Sequence, residues 1–261
     1  MQAIPVGDAT LHVEAALRPG RPNIAFVNSL GSDLRIWDDV VQILARADVG
    51  ALRYDLRGHG LSDLGTPPKR IADHVADLAA IMRASGLAKA TICGVSVGGT
   101  IALGLADAYP ERVDKLVLCC TGAKIGTVDA WNTRIETVER GGVRAIAEAV
   151  LQRWFPPEDY TRGGGSVALC RNMLSNTPRD GYIATCVALR DSDLTEAARR
   201  VKIPALVVAG EFDGSTPPAF VREFAALLED AKFRVIADAG HLPMVQQPEA
   251  LSRELLTFLG E

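Results

Sequence analysis

One serine in this 261-residue chain stands where a nucleophile would stand. Ser96 lies between Gly94 and Gly98, and the apolar, β-branched run before it predicts a strand over residues 90–95. The small and apolar residues 97–108 that follow predict a helix. Because glycine lacks a side chain, strand and helix can approach closely enough for a sharp turn that exposes the serine hydroxyl. The pattern therefore predicts a nucleophilic serine at the carboxyl end of a strand.

A serine hydroxyl is a weak nucleophile without a neighbouring base, and the chain offers four histidines. His12 falls in a predicted N-terminal hairpin, and His74 falls on an amphipathic helix. His59 lies in a glycine-rich loop, where we expect it to bond to the backbone. His241 alone follows Ser96 in the chain, directly after the last predicted strand. We therefore predict His241 as the base, although a lone loop histidine is more often structural.

The third member of such a site is an acid that orients the histidine, and its position is set by chain order. Asp213 lies three residues after the predicted strand that ends at Gly210, and 28 residues before His241. Glu211 is closer to the strand end, and Asp238 is adjacent to the histidine loop. The spacing favours Asp213 as the acid.

Two backbone amides are expected to bind the oxyanion that forms during acyl transfer. One is Val97, directly after the serine, and the other is Leu30 in the loop 28–33, which follows an earlier predicted strand. The sequence contains neither a nucleotide-binding glycine loop in the right context nor a metal-ligand spacing. The predicted mechanism therefore needs no cofactor and no metal.

Composition limits the partners and the compartment. Hydrophobic residues make up 48% of the chain and charged residues 23%, with a net charge of −4. There is no basic tract, so we expect no nucleic-acid partner. We expect no membrane association, because no apolar run approaches the roughly 18 residues of a membrane span. Five cysteines without metal or disulfide spacing indicate reduced thiols and a cytoplasmic protein. The sequence leaves the oligomeric state open.

Strands and helices alternate along most of the chain, which predicts an α/β fold with a mainly parallel sheet and helices on both faces. This rhythm stops at Thr121 and resumes after Arg200. We therefore predict a core formed by residues 1–120 and 201–261, and an inserted helical cap formed by residues 121–200. The predicted cap helices cover residues 129–140, 143–153, 165–174 and 180–189.

Four local segments resemble a known family. They are residues 28–34 (Asn-Ser-Leu-Gly-Ser-Asp-Leu), 55–62 (Asp-Leu-Arg-Gly-His-Gly-Leu-Ser), 93–99 (Cys-Gly-Val-Ser-Val-Gly-Gly) and 122–127 (Gly-Ala-Lys-Ile-Gly-Thr). On these segments the chain resembles the α/β-hydrolase superfamily, and within it the 3-oxoadipate enol-lactonases. It departs from many members at Asn28-Ser29, where His-Gly is common, and at Val95 and Val97.

The resemblance implies hydrolysis of 3-oxoadipate enol-lactone to 3-oxoadipate in bacterial aromatic catabolism. That lactone carries a carboxylate, so the pocket needs a cation. Arg134 and Lys124 are the candidates, and Trp131 shares a predicted helix face with Arg134 and could cover the ring. Cap packing for Trp131 and a solvated surface for both cations are the alternatives.

Other functions fit the same three residues. A carboxylesterase, a cofactor-free perhydrolase and a C–C bond hydrolase share the fold and the serine, acid and histidine. A ligand receptor that keeps the fold without turnover is a different class, and the intact set of three residues argues against it.

Overall fold

Eight strands form one sheet in the computed structural model, which describes residues 1–260. Their bounds are Gln2–Val6 (β1), Ala9–Ala16 (β2), Asn23–Val27 (β3), Gly50–Tyr54 (β4), Ala90–Val95 (β5), Val113–Cys119 (β6), Ala205–Gly210 (β7) and Ala231–Ile236 (β8). The order across the sheet is β1-β2-β4-β3-β5-β6-β7-β8. β2 pairs antiparallel with β1 and with β4, and the other neighbours are parallel. The predicted α/β class and the mainly parallel sheet are confirmed.

Strands β5 and β7 are buried along their whole length because both faces of the sheet are covered. Every residue of β5 and of β7 is buried. Since successive side chains of a strand point to opposite faces, full burial means that each face packs against other elements. The parallel strands also end at one edge, and the loops after β3, β5, β7 and β8 carry the predicted catalytic residues there.

Twelve α-helices surround the sheet within residues 1–260. Their bounds are Asp38–Arg46 (α1), Ile71–Ala84 (α2), Val97–Ala108 (α3), Val128–Gly141 (α4), Ala147–Trp154 (α5), Pro157–Arg162 (α6), Gly165–Ser175 (α7), Arg179–Arg190 (α8), Thr195–Arg200 (α9), Pro218–Ala225 (α10), Pro243–Gln246 (α11) and Pro248–Gly260 (α12). Helices α4 to α9 all lie in the connection from β6 to β7. We call this connection, residues 121–200, the cap.

Two cap helices, α6 and α9, were not predicted. Both are six residues long, too short for a hydrophobic period to be recognised. Pro157 occupies the first helical turn of α6, where proline is tolerated. The predicted helix at 143–153 begins as a 3₁₀ turn, over Val143–Ile146.

The cap rests on the core through close backbone contact. A Cβ atom added to Gly181 of α8 would lie 2.2 Å from the Gly58 carbonyl oxygen, in the loop after β4. A Cβ atom on Gly31 would lie 2.4 Å from Leu174 Cδ1 of α7. The absence of side chains at these glycines therefore lets the cap helices approach the loops at the edge of the sheet.

All five cysteines are free and buried, as predicted. None of the helices within residues 1–260 combines the length and the apolar character that a membrane span requires.

Candidate active site

Ser96 lies on a strained turn between β5 and α3. Its φ of 57° and ψ of −121° are unusual for a residue other than glycine. Two glycines make this turn sterically accessible. A Cβ atom on Gly94 would lie 2.1 Å from the Gly98 carbonyl oxygen, and one on Gly98 would lie 2.2 Å from the Val27 carbonyl oxygen. The Gly-x-Ser-x-Gly spacing is therefore a steric requirement of this strand–turn–helix.

Asp213, in the loop after β7, is buried and fully hydrogen-bonded. Its carboxylate accepts bonds from the Ser215 and Thr216 amides (2.7 and 3.0 Å), from the Thr216 hydroxyl (2.7 Å) and from His241 (2.8 Å). Burial alone raises the pKa of Asp213, but the neighbouring His241 and the hydrogen bonds from His241 and Thr216 hold it below its usual value. The group is therefore ionised at neutral pH.

His241, in the loop after β8, is fixed on two sides. Its Nδ1 lies 2.8 Å from Asp213 Oδ2, and its backbone amide donates to the Trp154 carbonyl at 2.9 Å. The Trp154 ring stacks against the imidazole, with 6.2 Å between ring centroids. Ser96 and His241 line the same cavity. In residues 1–260, no direct hydrogen bond joins these two residues. In ligand-free sites, such a contact often tightens only when substrate binds.

The two predicted oxyanion amides are unpaired. In residues 1–260, neither the Leu30 nor the Val97 amide donates to a protein acceptor. Val97 begins α3, where the first amides of a helix have no partner within the helix. The loop of Leu30 is held by the Asn28 side chain, which donates to the Tyr54 carbonyl and accepts from the Trp37 indole. Asn28 thus joins the loop of the predicted Leu30 amide to β4 and to Trp37.

Within residues 1–260, the other three histidines either have a different hydrogen-bond partner or are buried without one. His59 Nδ1 lies 3.0 Å from the Arg57 carbonyl oxygen, the backbone bond expected of it. His12 Nδ1 lies 2.8 Å from Asp55, and burial lowers the pKa of His74 to about 3. His241 is the histidine that the structure brings to Asp213 and to the cavity of Ser96.

The cavity at Ser96 has a volume of about 150 Å³ and lies between the core loops and the cap. Trp131 and Arg134 of α4 both line it. The Trp131 indole donates to the Ile125 carbonyl at 2.7 Å, and the Arg134 guanidinium stacks over its ring at 4.9 Å from the centroid. The structure therefore brings both predicted recognition residues to the cavity of Ser96.

Lys124 is elsewhere. Its side chain is exposed, and its Nζ lies 3.4 Å from Asp193 rather than along the cavity. The prediction of Lys124 as a substrate-binding cation is therefore not supported by its position: the loop before α4 turns this side chain toward solvent.

Several cavity residues were missed from the sequence, among them Arg153, Trp154 and Tyr182. Arg153 and Trp154 are adjacent at the end of α5, and Tyr182 lies near the start of α8. No spacing relates these positions to Ser96 or to Arg134. The one local signal in the sequence was the adjacent pair of an arginine and a tryptophan. Such a pair is too common in proteins to indicate a binding site.

One group of three side chains has donor atoms close enough to bind a metal ion: Cys120, Asp213 and His241, within 4.8 Å of one another in residues 1–260. Two of them already form the acid–histidine hydrogen bond. Burial and the charge of Asp213 raise the pKa of the Cys120 thiol well above its usual value, which disfavours the thiolate that a metal would need. The arrangement fits an acid–histidine pair better than a metal centre.

This sheet order, the turn at Ser96 and the acid–histidine pair define a class of enzyme. Residues 24–254 match the model of the Alpha/beta hydrolase family. The chain belongs to that family and is a hydrolase of carboxylic esters.

Particular members of the family are similar over nearly the whole length. The chain is 31% identical to 3-oxoadipate enol-lactonase 2 of Acinetobacter baylyi, covering 94% of this chain and 91% of that protein. The crystal structure of the enol-lactonase from Burkholderia xenovorans LB400 superposes with a TM-score of 0.95 at 32% identity, over all of both chains. A thermophilic esterase from Thermogutta terrifontis, with malate bound, has a TM-score of 0.90 at 27% identity, over 97% and 93% of the chains.

Proposed function

We propose that this protein opens the ring of 3-oxoadipate enol-lactone through an acyl-enzyme on Ser96. The observation that carries the proposal is the composition of the cavity. Ser96, His241 and Arg134 line it, and within residues 1–260 no acidic residue lines it. Two similar proteins, from A. baylyi and B. xenovorans, are named as enol-lactonases. A positively charged pocket beside a serine nucleophile suits a small lactone that carries a carboxylate.

In the first step, Ser96 Oγ attacks the lactone carbonyl carbon while His241 takes its proton. Ionised Asp213 accepts a hydrogen bond from the Nδ1–H of His241, which keeps the proton on Nδ1, leaves Nε2 as the basic nitrogen and stabilises the imidazolium that forms. The Leu30 and Val97 amides donate to the oxyanion of the tetrahedral intermediate. In this proposal, each of these side chains and amides acts from the loop or turn that carries it.

Collapse of the intermediate breaks the ring C–O bond and expels an enolate. An enolate is a better leaving group than an alkoxide. It takes up the proton that His241 received from Ser96 and ends as a ketone, which leaves His241 neutral for the next step. Water, activated by His241, then attacks the acyl-enzyme and releases a carboxylate and the free Ser96 hydroxyl. The reaction consumes one water, and its product carries one more carboxylate than its substrate.

Size and charge of the cavity support this substrate class. A cavity of about 150 Å³ holds one small ring, since benzene fits in an apolar cavity of that volume. Arg134 is positioned to bind the substrate carboxylate, and Trp131 to cover the ring. The T. terrifontis esterase, described with the dicarboxylate malate bound, is a relative that holds an organic anion.

A comparison of three substrates tests the proposal. We expect kcat/KM for the enol-lactone to exceed that for an uncharged lactone of the same ring size by roughly 100-fold or more, because charge-assisted hydrogen bonds contribute about 1.5–3 kcal/mol and the enolate leaves more readily. A 4-nitrophenyl ester serves as the third substrate. Comparable kcat/KM for all three would overturn the lactonase assignment and favour a general carboxylesterase.

A further inference from the structure

The cavity at Ser96 holds more positive charge than a substrate with one carboxylate requires. Arg153 lines it together with Arg134. Neither guanidinium forms an ion pair with a carboxylate in residues 1–260, and the buried Nε of Arg153 has no hydrogen-bond partner there. Unpaired buried donors of this kind are uncommon and call for a partner. A ligand anion is the partner that an arginine in a binding cavity can take.

Arg153 and Arg134 approach the cavity from different elements. The Gly214 amide donates to the Arg153 carbonyl at 3.0 Å, and the His241 amide donates to the Trp154 carbonyl at 2.9 Å. The end of α5 is therefore bonded to the loops of both the acid and the histidine. Arg134 is held instead on α4, over the Trp131 ring. Arg153 is thus anchored beside the reacting groups, and Arg134 beside the ring-covering indole.

The two cations also oppose each other. Burial lowers the pKa of Arg153, and the positive charge of Arg134 lowers it further, against a smaller opposite effect of Tyr182. Arg134 faces the Tyr182 hydroxyl, which is uncharged at neutral pH, and burial raises the pKa of this hydroxyl further. Within residues 1–260, none of the groups that line the cavity neutralises the positive charges of Arg134 and Arg153. Two negative charges from a ligand would neutralise both guanidinium groups.

We propose that Arg153 is a second anion-binding residue of this cavity, which makes the cavity selective for dicarboxylates. The inference rests on the proposed function, in which hydrolysis of a lactone with one carboxylate creates a second carboxylate at Ser96. Arg134 binds the carboxylate that is present throughout, and Arg153 binds the second carboxylate after hydrolysis has released it from Ser96. The protein therefore binds its dianionic product more tightly than a monoanion of equal length.

Calorimetric titration with two six-carbon probes tests this selectivity without any turnover. Adipate carries two carboxylates and hexanoate carries one. For the unmodified protein we expect the Kd of adipate to be at least about 10-fold lower than that of hexanoate, since a charge-assisted pair contributes about 1.5 kcal/mol or more. Arg153→Met should bring the two Kd values to within about threefold, and Arg153→Lys should restore part of the preference.

Arg144→Met is the matched control, because Arg144 is an exposed cap arginine outside the cavity. It should leave both Kd values unchanged. Thermal unfolding identifies any variant that does not fold, and Arg153→Gln then replaces Arg153→Met. Equal Kd values in the unmodified protein, or a preference that survives the loss of the Arg153 charge, would overturn the inference. Absence of enol-lactone turnover would instead overturn the proposed function, whatever the two Kd values are.

Discussion

Ser96 and Arg134 line the same cavity but are held there by different kinds of interaction. In the core, Ser96 is fixed by backbone geometry: a turn with φ of 57° that needs glycines on both sides. In the cap, Arg134 is fixed through its side chain, over the Trp131 ring and facing Tyr182. Backbone constraints allow few alternatives, whereas a side chain on a helix can be replaced while the helix stays.

This difference separates the two tasks of the site. Bond-making groups need positions accurate to a fraction of an ångström, and loops at the ends of buried strands supply them. Recognition groups on the cap decide which substrate reaches those positions. Related enzymes with one core can therefore differ in substrate, as the lactonase and esterase relatives do. Variants in the two regions should accordingly fail in different ways.

The largest effect is expected at the core nucleophile. Ser96→Ala should lower kcat for a 4-nitrophenyl ester by roughly 10⁵-fold, because the acyl-enzyme can no longer form. The free energy of unfolding should change little, since the backbone turn is retained. Steady-state kinetics and thermal unfolding measure both quantities, and Ser166→Ala, at an exposed serine of α7, is the control. Activity that survives in Ser96→Ala would contradict the assignment of the nucleophile.

Two glycine substitutions compare the backbone of the core with the contact between cap and core. A Cβ atom on Gly98 would lie 2.2 Å from the Val27 carbonyl oxygen, so Gly98→Ala should lower the free energy of unfolding by roughly 3 kcal/mol or more. Gly181→Ala meets the Gly58 carbonyl oxygen at the same distance but displaces only a cap helix. It should cost about 1–3 kcal/mol and raise KM more than it lowers kcat.

Urea unfolding and steady-state kinetics give these values. Gly165→Ala is the control, because a Cβ atom there meets no atom within 4 Å and Gly165 is already helical. It should be neutral or slightly stabilising. If Gly181→Ala destabilised the protein as much as Gly98→Ala does, the cap would be as rigidly constrained as the core, and the contrast between the two regions would not hold.

A smaller effect is expected at the cap arginine. Arg134→Met should raise KM for the anionic enol-lactone by about 10- to 100-fold, because a charge-assisted hydrogen bond is lost. For a neutral 4-nitrophenyl ester, KM should stay within about twofold. Arg140→Met, at an exposed position of the same helix, should change neither value. Unchanged KM for the anionic lactone in Arg134→Met would remove Arg134 from the recognition of substrate.

The smallest effect per pH unit concerns the protonation of buried histidines, and these lie in the core, since residues 121–200 contain no histidine. Burial lowers the pKa of His74 from 6.5 to about 3. Between these values the unfolded chain binds a proton that the folded chain does not, so the free energy of unfolding falls as pH falls. The slope for this group is at most about 1.4 kcal/mol per pH unit.

Urea titrations at several pH values, on the unmodified protein and on His74→Met, measure this slope. The variant should show a shallower decrease between about pH 6.5 and pH 3, because it lacks the titrating group. His59, also buried and with a lowered pKa, and carboxylates with a lowered pKa such as that of Asp213 contribute to the slope in both proteins. Identical slopes for the two proteins would mean that His74 binds its proton equally well in both states.

Much of the core was predictable because its constraints are local. The strand at 90–95 has the predicted bounds, and β7 ends at Gly210 as predicted, since apolar runs between turn residues leave few alternatives. In the cap, the longer helices were found but α6 and α9 were not. Short helices depend on tertiary packing rather than on a period that can be read from the sequence.

The sequence by itself determined the order and chemistry of the predicted catalytic residues: Ser96 in its glycine-bounded turn, then Asp213, then His241. Chain order and strand ends suffice there, because parallel strands bring their carboxyl ends to one edge. Only the tertiary structure decided which cations line the cavity. It directs Lys124 to Asp193 at the surface and brings Arg153 beside Arg134, because helix packing, not spacing along the chain, sets where those side chains meet.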